Sequence, residues 1–166
     1  MKIEYYLENM EIKLSKYFDI EKSYNYINTE YQLFAKSFIR SEKYIASKKL
    51  TIYAIENNEF IFVKTFTELE EKELLQFTDH LMRAAEDYVD PHSEHMSTVI
   101  TGIIVVEKGS GKDLRKMIEK FKFMRSFAFG FKGWVYIRLL VVDLDKGEVI
   151  CNRRGREVKK FYQMND

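Results

Sequence analysis

Apolar residues recur through residues 2–18 at Ile3, Leu7, Met10, Leu14 and Tyr17, with Glu and Lys between them. That spacing places them on one face of an amphipathic helix. From Ile20 to Phe66 the period changes to two. Tyr31, Leu33, Ala35 and Ser37 alternate with Gln32, Phe34, Lys36 and Phe38, which predicts a strand covered in part on both faces. Leu50–Ile55 and Phe60–Phe66 flank Glu56-Asn57-Asn58-Glu59. Asn accepts positive φ more readily than most residues, so a hairpin turn is expected at these two asparagines and an antiparallel meander across the region. Thr67-Glu68-Leu69-Glu70 has the spacing of a capping box. The helix it opens carries Leu74, Phe77, Leu81, Ala85 and Tyr88 on one face. It is expected to end at Asp90-Pro91, because a residue before proline is pushed out of the α region.

Thr98–Val106 is apolar on both faces, as a central strand should be. Gly109-Ser110-Gly111 then turns the chain into a helix with Leu114, Met117, Ile118, Phe121 and Met124 on one stripe. Trp134–Leu144 is a second buried strand, returned by Asp145-Lys146-Gly147 into Glu148–Cys151, and a short basic helix from Arg156 to Tyr162 follows. The predicted fold is α+β: a mostly antiparallel sheet with an N-terminal meander, packed by three to four helices. The one proline, Pro91, and the absence of any Gly/Ser/Pro-rich linker predict a single domain over residues 1–166.

Composition adds three points. Thirteen Phe and eleven Tyr in 166 residues are a heavy aromatic load, which predicts that some rings serve a pocket or a partner interface. Cys151 is the sole cysteine, so no intrachain disulfide can form. With no signal-like N-terminal apolar stretch and no apolar segment long enough to span a bilayer, a cytoplasmic protein without membrane partners is expected. The charge is uneven: residues 1–106 hold 12 Lys and Arg against 18 Asp and Glu, whereas residues 107–166 hold 15 against 8. A chain polarised in this way suits an anionic ligand, or head-to-tail pairing with a second copy as a homodimer.

Four groups of residues could carry chemistry. His92, Glu94 and His95 could ligate a metal if a helical turn brings the two histidines to one face, although the spacing matches no established zinc motif. His80 is expected on the solvated face of its helix, beside Glu73, Gln76, Arg83 and Asp87. Gly109-Ser110-Gly111-Lys112 lies between a strand and a helix, yet lacks the first glycine and the Ser or Thr of a phosphate loop. Asp143 and Asp145 are two carboxylates in or beside a turn, where local hydrogen bonds account for them. No cofactor is expected.

The last third is the least ordinary. Lys120, Lys122 and Arg125 are interleaved with phenylalanines, and Arg153, Arg154 and Arg156 add a second basic run, a composition suited to single-stranded nucleic acid or an anionic surface. Phe129 and Phe131, with Trp134, are candidates for a pocket wall or interface. Arg138 interrupts an apolar strand and needs either an internal carboxylate or a bound anion.

Phe34–Tyr44, His95–Gly102, and Phe131-Lys132-Gly133-Trp134 with Val141–Leu144 together resemble a small prokaryotic family of uncharacterised proteins. The resemblance spans most of the chain, implies a self-standing fold, and brings no catalytic residue with it. The residues favour a non-enzymatic binding or interaction domain. A nucleic-acid-associated protein and a metal-dependent or nuclease-like enzyme stay open beside it, so whether the protein is an enzyme is not decided by the sequence.

Overall fold

The two most apolar stretches of the chain lie side by side at the centre of one sheet. The computed structural model describes residues 2–43, 53–91, 95–109 and 112–164. Its elements run α1 (Ile3–Leu14), β1 (Asp19–Tyr26), β2 (Thr29–Lys43), β3 (Tyr53–Phe66), α2 (Glu71–Asp87), β4 (His95–Val106), α3 (Lys112–Lys120), β5 (Met124–Ser126), β6 (Trp134–Asp143), β7 (Glu148–Cys151) and α4 (Lys159–Tyr162). Short 3-10 turns at Ala128–Gly130 and Arg154–Glu157 precede β6 and α4. The seven strands are ordered β1-β2-β3-β4-β6-β5, with β7 also on β6. Strands β1 to β3 form the expected antiparallel meander. β3, β4 and β6 are mutually parallel, because α2 and α3 carry the chain back across the sheet between them. The fold is broadly α+β.

Two helices cover each face. Leu74, Phe77, Leu81 and Ala85 of α2 and Ile118 of α3 pack on Phe60, Phe62, Ile100, Ile104, Ile137 and Leu139. Tyr6, Met10 and Leu14 of α1 and Tyr162 of α4 pack on Leu33, Ile61, Val63, Ile103, Val105 and Leu140 on the other face. The Tyr6 hydroxyl donates to the Tyr162 carbonyl at 2.7 Å and ties these two helices together.

Several expectations are corrected. Asn57 and Asn58 do not turn: β3 runs through them, pairing Ile39 with Asn57 and Phe38 with Asn58. The hairpin turn lies instead at Ile27 and Asn28, with φ of 49° and 54°, the two left-handed residues that a tight hairpin of this hand requires. The capping box sits three residues later than expected, the Glu73 carboxylate accepting the Glu70 amide at 3.0 Å. α3 ends at Lys120, so Met124 belongs to β5 and is exposed rather than part of the helix stripe. Tyr31 and Leu33, two residues apart, fall in opposite core clusters, so β2 is not a flat period-two strand there.

His80 is also misplaced by helical periodicity. It is only 5% exposed, and its Nδ1 lies 2.7 Å from the Tyr31 hydroxyl. Burial holds the ring below the ordinary histidine range, with the Arg83 charge acting in the same direction and Asp79 opposing it. The unfolded chain therefore binds a proton that the folded chain resists. Stability is complete above the unfolded value of about 6.5 and declines as pH falls from there toward the lower folded value. Urea midpoints measured from pH 7.5 to pH 5 should fall for the native protein and fall less for His80→Gln; parallel declines would show that other groups set the acid limb.

The edge of β6 is shared. β5 pairs with its first residues and β7 with its last, from Leu140↔Cys151 to Asp143↔Glu148. Asn152 fills the gap between them. Its amide donates to the Leu139 carbonyl at 3.0 Å, its Oδ1 accepts from the amides of Leu139 at 3.0 Å and Gly155 at 2.8 Å, and its Nδ2 donates to the carbonyls of Ile137 at 3.0 Å and Phe121 at 3.3 Å. A buried side chain thus performs the hydrogen bonding that a strand would perform, and holds the 3-10 turn Arg154–Glu157 against the sheet.

Candidate functional site

The sheet face under α1 and α4 changes character half-way along. On β3, Val63 and Ile61 give way to Glu59 and Asn57; on β4, Val105 and Ile103 give way to Thr101, Val99 and Ser97; on β6, Val142 and Leu140 give way to Arg138, Tyr136 and Trp134. The register brings these changes within one row of each other: Ile61, Thr101 and Arg138 form the boundary row, Glu59, Val99 and Tyr136 the next, and Asn57, Ser97 and Trp134 the last. The helices cover the apolar half. The other half floors a cleft of about 410 Å³, lined by Ser37, Asn57, Asn58, Glu59, Ser97, Val99, Tyr136 and Arg138 from the sheet and by Tyr17 and Phe18 from the segment after α1. A second hollow of about 500 Å³ adjoins it past Tyr17, Phe18 and Glu59 and reaches Glu157, Lys160 and Phe161.

Arg138 is the hub. Its side chain is 12% exposed and is held from two sides: Nη1 donates to Glu59 at 3.0 Å, while Nη2 and Nε donate to Glu157 at 2.8 and 3.2 Å. Nη2 also lies 3.3 Å from the Tyr136 hydroxyl. The internal carboxylate that an arginine in this strand requires is therefore supplied twice, once by β3 and once by the 3-10 turn after β7. Glu59 additionally accepts from the Thr101 hydroxyl at 3.0 Å, and Glu157 pairs with Arg154 at 3.2 Å. Arg154 in turn stands 4.5 Å from the Tyr136 ring centroid, a cation–π contact. The Ser97 hydroxyl donates to Asn57 Oδ1 at 2.7 Å.

These contacts shift the titration of three of the groups. Burial raises the Tyr136 hydroxyl, with Glu157 adding to it and Arg138 and Arg154 opposing. Burial would raise Glu157, but its hydrogen bonds to Arg138 and Arg154 outweigh that and hold its carboxyl below the usual range. Burial likewise opposes the Arg138 charge, and Glu157 and Glu59 more than restore it. Two cations and two anions balance across the network.

The other sequence candidates fall elsewhere. Trp134 shares the face of Tyr136 and Arg138 and is half-buried. Phe129 and Phe131 stand 99% and 84% exposed on the turn before β6. Lys122 does meet Arg153 and Arg154, around a hollow of about 530 Å³ that includes Phe121, Phe123 and Asn152; Arg125 pairs with Glu86 at 3.3 Å. Lys120 and Arg156 are exposed outside this hollow. His92 and Glu94 lie outside the described residues, and of His95 only the backbone, opening β4 opposite Glu56, is described. Among the described residues no group of three or more His, Cys, Asp and Glu is placed to hold a metal.

Asp143 is fully buried, accepts the Lys146 amide at 3.0 Å and lies 3.6 Å from its ammonium, which accounts for it as a turn residue. The same carboxylate borders Gly109, where it would repel a phosphate; Ser110 and Gly111 lie outside the described residues. Cys151 is buried, and burial raises its thiol further from reactivity. Among the described residues no helix is long and apolar enough to cross a membrane.

Sequence reasoning found Arg138 but missed Glu59, Tyr136, Asn57, Ser97 and Glu157. The available signal was the polar interruption recurring at the start of three otherwise apolar strands.

An α+β domain with a mixed seven-stranded sheet, half-covered on one face beside a cleft that joins aromatic rings to a buried arginine–carboxylate network, is the class that this fold and site define. The chain belongs to the family described as a domain of unknown function (DUF8052), whose model matches residues 2–164. No curated protein and no solved structure matches it.

Proposed function

We propose that the protein is a non-enzymatic binding domain whose site is the cleft around Arg138, and that its ligand is a small, uncharged, polar molecule with a flat face. The carrying observation is that β3, β4 and β6, within one row of each other, change from wholly apolar side chains to a mixture that includes Glu59, Asn57, Thr101, Ser97 and Arg138, which leaves half of one sheet face open beneath aromatic rims. A core needs no such half. Burying a charged guanidinium with two carboxylates is weak or neutral for stability compared with apolar packing, so its presence favours a role in recognition. Because Arg138 and Arg154 are balanced by Glu59 and Glu157, the cleft has no net charge to attract a free anion. Its floor offers amide, hydroxyl and carboxylate groups, and Phe18 and Tyr136 supply rings for a planar ligand. Binding is favoured over catalysis because Tyr136 is shifted up and Glu157 down, both away from the neutral range in which an acid–base catalyst works best.

Differential scanning fluorimetry with nucleobases, nucleosides and aromatic amides, each beside an anionic counterpart, tests this reading. A neutral member should raise the melting temperature more than its anionic analogue, and Asn57→Ala with Ser97→Ala should weaken that ligand about tenfold, the loss of one to two hydrogen bonds. A response to anions alone, undiminished in the double variant, contradicts it. A nucleic-acid partner is the second reading, favoured by the meeting of Lys122, Arg153 and Arg154 around one hollow; the oligonucleotide arm of the experiment below distinguishes it.

A further inference from the structure

Between Glu119 and Asp143 the chain has no acidic residue; of its five cations there, Arg138 is held in the cleft by Glu59 and Glu157 and Arg125 makes an exposed pair with Glu86, while Lys120 and Lys122 precede the turn and Lys132 lies in it. The turn from β5 to β6 lies inside this stretch, and Phe127 to Phe131 contain no polar side chain. Ala128 and Phe129 hold positive φ of 47° and 54°, followed by Gly130 at 91°. This conformation costs L-residues free energy, and here it projects the Phe129 and Phe131 rings into solvent rather than toward the body.

The turn is nevertheless closed on itself. The amides of Phe127, Gly130, Phe131, Lys132 and Gly133 donate to carbonyls within it at 2.9 to 3.2 Å. Such a turn can leave water without stranding those donors, the condition that an apolar medium imposes on any backbone entering it. A base-stacking site has a different form: rings lie flat on a sheet or groove with cations along the strand's path. Here the rings stand at a convex tip.

We infer that this turn is a peripheral docking point for an anionic lipid surface, in which Phe129 and Phe131 enter the interfacial layer and the flanking cations meet the headgroups. Aromatic insertion beside Lys and Arg is how shallow membrane contacts are built, and it needs no spanning segment. It departs from the expectation of no membrane partner, which rested on spanning length alone.

Trp134, the only tryptophan, follows the turn directly and reports on it. The protein is mixed with vesicles of equal parts phosphatidylglycerol and phosphatidylcholine, with vesicles of phosphatidylcholine alone, and with oligo-dT. The expected result is cosedimentation with the anionic vesicles, weakened by salt, with Trp134 emission quenched by brominated acyl chains. Phe129→Ser with Phe131→Ser should reduce that partitioning about tenfold or more while leaving the circular dichroism and melting temperature unchanged. Failure to bind anionic vesicles overturns the inference, as does equal binding by the double variant. So does a dimer or an oligo-dT complex that the double variant abolishes in place of vesicle binding, since either would assign the rings another occupant.

Discussion

Asn152→Asp is expected to cost about 4 kcal/mol or more, a large part of the stability of a domain this size. The substitution is nearly isosteric, so packing is not what changes. An oxygen replaces the nitrogen that donates to the carbonyls of Ile137 and Phe121, and three acceptors then face one another at a residue that is 1% exposed. A carboxylate placed there loses its solvation and faces two carbonyl oxygens, a cost that Lys122, Arg153 and Arg154 around the adjoining hollow offset only in part. The consequences run beyond stability. Asn152 holds the Gly155 amide at 2.8 Å and so positions the turn that supplies Glu157 to Arg138. Urea denaturation followed by circular dichroism measures the loss; a midpoint within error of the native one would show that the β6 edge is held by something else.

Gly102→Ala is expected to cost about 3 kcal/mol, through overpacking rather than through any lost bond. Gly102 lies in β4 directly beneath α2. A methyl group there would stand 2.2 Å from Leu81 Cδ1 and 2.7 Å from Phe77 Cε1, and both side chains are themselves buried. The helix must lift or two core side chains must leave their rotamers, and a densely packed core permits neither cheaply. Thermal melting should show the loss directly. Combining Gly102→Ala with Leu81→Ala should restore part of it, because the clash and the space are at the same place; strict additivity would contradict that contact.

What the chain made legible follows from how local each determinant is. β4 and β6 are readable because Thr98–Val106 and Trp134–Val142 are dominated by apolar and β-branched residues, broken by charge only at Arg138, and α2 because its inward stripe repeats over four turns. Asn57 and Asn58 were misread as a turn because their preference for positive φ is local, whereas their actual setting, between β2 and β4, is imposed from both sides. His80 sits on a helix position that periodicity assigns to solvent, and Tyr31 arriving from β2 and Tyr26 from β1 make it interior. The cleft was legible only as Arg138. Glu59, Arg138 and Glu157 are far apart in sequence, and their convergence requires the parallel register of β3, β4 and β6 together with the return of the chain through Asn152. Phe129 and Phe131 were recognisable as unusual, but periodicity cannot tell a pocket wall from a projecting turn.

The central claim is that the open half of the sheet around Arg138 binds a neutral planar molecule. Nitrogen-15 NMR of the labelled protein, titrated with the member of the fluorimetry panel that raises the melting temperature most, addresses it at the atoms concerned. Saturable shifts are expected at the Arg138 Nε–H, at the side-chain amides of Asn57 and Asn58, and at the backbone of Ser97 and Tyr136. Shifts confined to Phe121, Lys122 and Arg153, or spread evenly over the surface with no saturation, would place recognition elsewhere and leave the cleft a structural feature only.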